Sequence, residues 1–163
     1  KITFIILLLC TTLCQGFLLA QSSEIKPSMR VIVDNDFSGD PDGLFQMAHL
    51  LLSPSVDIRG IIGSHLSVKD GFDPSTTQAE NAAKKAKELL KIMNLEGKVA
   101  VVAGSNTGMT DENTPVKSAG VDLIINEALR TDTKQPLYVL CGAGLTEIAS
   151  ALTEKLPAMN LRR

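Results

Sequence analysis

The chain has 163 residues, 44% of them hydrophobic, which is enough for one ordinary core and short for two domains. Its 16 basic and 18 acidic residues leave a net charge of −2, and no cluster of Lys or Arg stands beside aromatic residues. That balance supplies no basic field for a phosphate backbone and argues against nucleic acid as a partner.

The first twenty residues differ from the rest. Lys1 precedes the apolar run Ile2 to Leu9, and Leu18-Leu19-Ala20 leads into the polar stretch Gln21-Ser22-Ser23-Glu24, the layout of a secretory signal peptide over residues 1–20. Thr11, Thr12, Gln15 and Gly16 interrupt the run, leaving it short for a membrane span of ~20 residues. We therefore expect cleavage after Ala20, a secreted or periplasmic protein, and no stable membrane insertion after processing. Cys10 and Cys14 would leave with the signal, so Cys141 is expected to be a packed thiol in a chain without an internal disulfide. Residues 28–163 are expected to form the N-terminal part of a domain truncated at its C-terminus, because the chain stops at Arg162-Arg163 soon after a helical pattern.

Val31-Ile32-Val33 is a β-branched run that reads as a buried strand ending at Asp34. Beyond a loop rich in Asp and Gly, Leu44, Met47, Ala48, Leu51 and Leu52 recur at helical spacing up to Ser53-Pro54-Ser55. Val56 to Ile62 is a second strand, closed by Gly63-Ser64-His65. Ala79, Ala82, Ala83, Ala86, Leu89, Leu90 and Met93 stripe a second helix whose other face carries lysines, and Gly97 breaks the chain. Val99 to Val102 is a third strand, and Val121, Ile124, Ile125, Ala128 and Leu129 stripe a third helix. Leu137 to Leu140 is a fourth strand. Leu145, Ile148, Ala149 and Leu152 stripe a fourth helix, ended at Pro157. This alternation predicts an α/β fold, Rossmann-like, with a mostly parallel sheet and helices on both faces. Ligands of such sheets sit at the carboxyl ends of the strands, so the turns 34–42, 63–67 and 142–146 are expected to meet.

Four carboxylates, Asp34, Asp36, Asp40 and Asp42, fall within nine residues at the tip of the first strand. Like charges this close raise one another's pKa unless a cation neutralises them, and carboxylates and carbonyls are the hard oxygen ligands that Ca²⁺ or Mg²⁺ prefers. A local reading explains part of the cluster: Asp40 before Pro41 suits a helix N-cap, and Asp42 suits the helix dipole. It leaves Asp34 and Asp36 without a role. His49 is expected on a helix edge. His65 ends a strand facing the site, and Thr146 could cap the fourth helix or touch a ligand.

Val31-Ile32-Val33-Asp34-Asn35-Asp36 resembles the first strand of the inosine-uridine-preferring nucleoside hydrolase family, and Gly39-Asp40-Pro41-Asp42 resembles a nucleoside-hydrolase-like branch of it. Ile58 to Gly63, Asn81-Ala82, Val102-Ala103-Gly104 and Gly144-Leu145-Thr146-Glu147-Ile148-Ala149 extend the resemblance. Ser64-His65 stands where the family places an Asn that holds the sugar, and Glu147 stands for the Asn of the last motif.

The resemblance implies a Ca²⁺-dependent N-glycoside hydrolase acting on a nucleoside or related riboside. Asp36 would be the general base. Asp34, Asp36, Asp42 and the Gly142 carbonyl would hold Ca²⁺, and Asp40, Ser64 and His65 would bind substrate; the motif leaves the roles of Asp40 and Asp42 interchangeable. A homo-oligomer stays open. Two alternatives stand beside this. Asp34-Asn35-Asp36-Phe37-Ser38 also resembles the Asp-x-Asp-x-Thr motif of haloacid-dehalogenase-like phosphohydrolases, with Asp34 as nucleophile and Mg²⁺ as cofactor. The other is a non-catalytic sugar-binding protein on the same fold.

Overall fold

The computed structural model describes residues 25–155. The expected signal peptide and the helix stop at Pro157 lie outside the described residues. Strand and helix alternate in the order β1 (Met29–Asn35), α1 (Asp42–Leu51), β2 (Val56–Gly63), α2 (Gln78–Ile92), β3 (Val101–Ala103), α3 (Ala119–Ala128), β4 (Leu137–Cys141) and α4 (Thr146–Glu154). The described strands form one four-stranded parallel sheet in the order β3-β2-β1-β4. The α/β fold expected from the periodicity is present, and every described strand pair is parallel.

Burial on both faces explains why β1 reads as an unbroken apolar run rather than an alternating one. Val31 and Val33 pack with Phe37, Met47, Ile61, Ala82, Ala86 and Leu90 under α1 and α2. Ile32 packs on the other face with Ile62, Val121, Ile124, Ile125 and Ala151 under α3 and α4.

The buried face of α4 differs from the expected stripe. Thr146, Glu147, Ser150 and Ala151 are buried, whereas Leu145 is exposed. Part of this polar surface is satisfied: Glu147 Oε1 accepts from Ser105 N–H at 2.7 Å, and Ser150 Oγ accepts from Val116 N–H at 3.1 Å, while Glu147 Oε2 has no partner among the described residues.

At the amino end of the sheet, Arg30 is buried and donates to both the carboxylate and the carbonyl of Glu127, at 2.8 and 2.7 Å. Its other nitrogens bond Gln135 O. Burial pushes the Glu127 pKa up, but Arg30, Arg59 and Arg130 outweigh it and hold the carboxyl below its ordinary range. That network ties β1, α3 and the approach to β4 together, far from the strands' carboxyl ends.

Candidate functional site at the carboxyl ends of the strands

The register brings Asn35 beside Gly63, Gly63 beside Ala103, and Asp34 beside Cys141. The ladder runs one residue further, through Ser64 N–H to Asn35 O, Gly104 N–H to Gly63 O and Gly142 N–H to Asp34 O, each at 2.9 Å. The turns after all four strands therefore leave the sheet at the same end. A cleft of about 270 Å³ opens there, lined by Asp36, His65, Leu66, Ser67, Ala143 and Gly144. A cleft of similar size at the other end of the sheet has walls that include Leu50, Val56, Leu95 and Val99. Chemistry, not volume, singles out the carboxyl end.

The four aspartates divide into two groups. Asp34, next to last in β1, is fully buried; its Oδ1 accepts the Ser64 hydroxyl and its Oδ2 has no partner among the described residues. Burial raises its pKa to about 7, against the Ser64 bond and with the help of the nearby Glu147 charge. Ser64 is buried too, so its hydroxyl serves Asp34 rather than the cleft. Cys141, expected as a packed thiol, is half-buried, and desolvation with the Asp34 and Glu147 charges pushes it up to about 11, an inert thiol rather than a nucleophile.

Asp36 lies beyond the strand, half-buried, on the wall of the cleft. Its pKa is raised, first by burial and then by the charges of Asp42, Asp40 and Asp70. Asp40 and Asp42 are fully exposed on the approach to α1, and Asp40 Oδ1 accepts from Asp42 N–H at 3.1 Å. The N-cap position falls on Pro41, which has no side-chain cap bond, so Asp40 is not the helix N-cap expected from the sequence but closes a local turn two residues before the helix. Each of the pair perturbs the other, Asp40 being held down and Asp42 raised by their mutual hydrogen bond. Gly142 is exposed at the end of β4.

His65 is fixed by a bond from its Nδ1 to the Ser105 carbonyl at 3.0 Å. Thr146 forms no side-chain cap on α4; a β-carbon on Gly108 or on Gly144 would lie 3.9 Å from its Oγ1. Thr146 is largely buried, and its hydroxyl is near both glycines, of which Gly144 lines the cleft. His49 is exposed in the last turn of α1, as expected.

Among the described residues no three His, Cys, Asp or Glu side chains converge on a metal-sized point. The hard oxygen donors of this surface are Asp36, Asp40 and Asp42, of which Asp36 and Asp42 are raised in pKa and Asp40 is held down. Asp34 stands apart, in contact with Ser64 and near Glu147. Sequence reasoning passed over Glu147 as a buried group. The signal available was its helical spacing: Glu147 stands three and four residues before Ser150 and Ala151, which share its buried face.

A family model described as cellulose-binding Sde182, nucleoside hydrolase-like domain, matches residues 30–158. A solved structure, a nucleoside hydrolase-related hypothetical protein from Saccharophagus degradans associated with carbohydrate metabolism, is similar at 23% identity with a TM-score of 0.52. The likeness covers 83% of this chain and 34% of that one, so the chain spans about a third of that protein's length. No curated protein matches.

Proposed function

Because the chain belongs to the family of Sde182 nucleoside hydrolase-like domains, we propose that it binds a carbohydrate at the carboxyl ends of β1, β2 and β4, with Ca²⁺ as cofactor and Asp36 as general base for hydrolysis of a glycosyl bond. The observation that carries this reading is Asp36 itself. Among the described residues it is the one carboxylate that lines the cleft, and burial and its acidic neighbours raise its pKa above the ordinary carboxylate value. The family's description as cellulose-binding supports a saccharide over a free nucleoside as the ligand class.

Asp36, the Asp40–Asp42 pair and the Gly142 carbonyl would hold Ca²⁺. When bound, the ion would orient vicinal hydroxyls and lower the pKa of a coordinated water. The chain's own residues do the rest. Asp36 accepts a proton from the attacking water, His65 meets a sugar hydroxyl, and the glycine-rich turn 142–144 lets the sugar ring approach the backbone. The signal peptide and an extracellular or periplasmic location belong to the same proposal.

The phosphohydrolase alternative needs Asp34 as an exposed nucleophile, and Asp34 is fully buried. Binding without turnover is the stronger second reading. It is favoured by the inward placement of Asp34 and Ser64, which leaves Asp36 and His65 as the titratable side chains on the cleft wall.

Calorimetric titration with cellobiose and with inosine, in CaCl₂ and in EDTA, with a parallel assay for released reducing sugar, tests both readings. The first expects Ca²⁺-dependent binding and turnover, both lost in Asp36→Asn. Binding alone supports the second. Neither ligand binding in either buffer overturns the proposal.

A further inference from the structure

Glu147 is fully buried, and the chain makes room for it. A β-carbon on Gly104 would stand 2.8 Å from Glu147 Cδ, and one on Gly120 would stand 3.1 Å from its Cγ. Gly104 is thus glycine where the carboxylate passes, whereas at Gly120 the nearer contact is Ile62 Cγ2, at 2.7 Å. Burying an acid is costly unless its oxygens are hydrogen-bonded; Glu147 Oε1 accepts from Ser105 N–H at 2.7 Å, whereas Oε2 has no partner among the described residues.

The peptide on the far side of Ser105 completes the connection. Its carbonyl lies 3.0 Å from His65 Nδ1, and a carbonyl oxygen can only accept, so Nδ1 carries the proton. In the neutral ring Nε2 is then an acceptor. No described group bonds Nε2, and a β-carbon on Gly108 would lie 3.8 Å from it, so that side of the ring is open beside the cleft that His65 lines. The segment that carries Ser105 is pinned at neighbouring points as well: Gly104 N–H bonds Gly63 O, and Asn106 Oδ1 accepts from Ala79 N–H at 2.9 Å.

We infer that Glu147 is a positioning residue: through Ser105 it fixes the tautomer and aim of His65, so that Nε2 accepts a hydrogen bond from a hydroxyl of the bound ligand. The ligand half of this inference rests on the carbohydrate reading above. The tautomer half does not. A second-layer acid that orients a histidine through a peptide follows the general logic by which a ring's far nitrogen sets the chemistry of its near one.

Long-range ¹⁵N–¹H correlation spectra of histidine-labelled protein near neutral pH read the tautomer directly. Wild-type His65 is expected to carry its proton on Nδ1. Glu147→Gln keeps an acceptor oxygen and is expected to keep that tautomer, whereas Glu147→Leu is expected to release the ring to the mixture of an unconstrained imidazole. Cellobiose binding should weaken about tenfold in both Glu147→Leu and His65→Ala, and by no more in the double variant, since the two act as one unit. An Nε2-protonated His65 in the wild type overturns the inference, whether or not Glu147→Leu folds. So does an unchanged tautomer in a folded Glu147→Leu. Failure of the wild type to bind cellobiose counts against the carbohydrate reading alone, because the tautomer spectra still decide the role of Glu147.

Discussion

Asn35 and Gly142 interlock at the end of the sheet: a β-carbon at position 142 would stand 2.6 Å from Asn35 Oδ1 and closer still to its amide nitrogen. Asn35 cannot step aside. It is buried, Gly43 approaches it from α1, its Nδ2 donates to Gln46 at 3.1 Å and its Oδ1 accepts from Asp36 N–H at 2.9 Å. The asparagine between the two aspartates therefore holds the turn that carries Asp36.

Gly142→Ala is expected to destabilise the fold by about 1–3 kcal/mol, the usual range for overpacking. Gly71, with nothing near its would-be β-carbon, supplies the control, and Gly71→Ala should change stability by less than about 0.5 kcal/mol. Urea denaturation of the two variants checks this. Equal midpoints would show that the close approach carries no constraint.

Asp34 gives the fold a pH dependence of definite sign. Its folded pKa, about 7, lies above its ordinary 3.8, so folding favours the protonated form. The stability it contributes is complete below about pH 4 and is lost as pH rises to about 7. At roughly three pKa units the loss is at most about 4 kcal/mol. Asp34→Asn should therefore match the wild type at pH 4 and exceed it in stability at pH 8. Urea titrations at the two pH values decide, and a variant less stable than wild type at pH 8 would contradict the assignment.

Glu127 behaves in the opposite sense. Its folded pKa is depressed, so its contribution is present above about pH 4.5 and fades as pH falls through the folded value. Glu127→Ala leaves the buried Arg30 guanidinium without its carboxylate and should cost about 3–5 kcal/mol. Arg130→Ala removes only a part-exposed partner and should cost less than about 1 kcal/mol. Thermal or urea unfolding at pH 7 compares them; similar losses would mean that burial of Arg30 does not govern the network.

The order of elements could be read from the sequence because each strand and helix has its own apolar period, and the parallel arrangement follows from their alternation. The aspartate turn was legible as a concentration of charge. Its division was not, because which carboxylate turns inward depends on partners far along the chain: Ser64 lies 30 residues from Asp34, and Glu147 approaches from the last described helix. Ser64 and His65, adjacent in sequence and expected to share a role, part for the same reason. One serves the buried Asp34 and the other the cleft. Arg30 and Glu127, 97 residues apart, carry no local signal at all.

Asp36→Asn should leave the fold intact, since the side chain is half-buried and none of its oxygens accepts a hydrogen bond from another described side chain. Its unfolding midpoint should stay within about 0.5 kcal/mol of wild type. Loss of stability comparable to that of Gly142→Ala would place Asp36 in the structural frame of the turn rather than on the site.

Amide chemical-shift mapping of the ¹⁵N-labelled protein, titrated with CaCl₂ and then with cellobiose, locates the site without assuming turnover. The expected result is that calcium moves the resonances of Asp36, Asp40, Asp42 and Gly142, and that cellobiose then moves those of His65, Leu66, Ala143 and Gly144, with both responses lost in Asp36→Asn. Shifts confined to the cleft at the other end of the sheet, around Leu50, Val56 and Leu95, or responses that survive Asp36→Asn unchanged, would contradict the account.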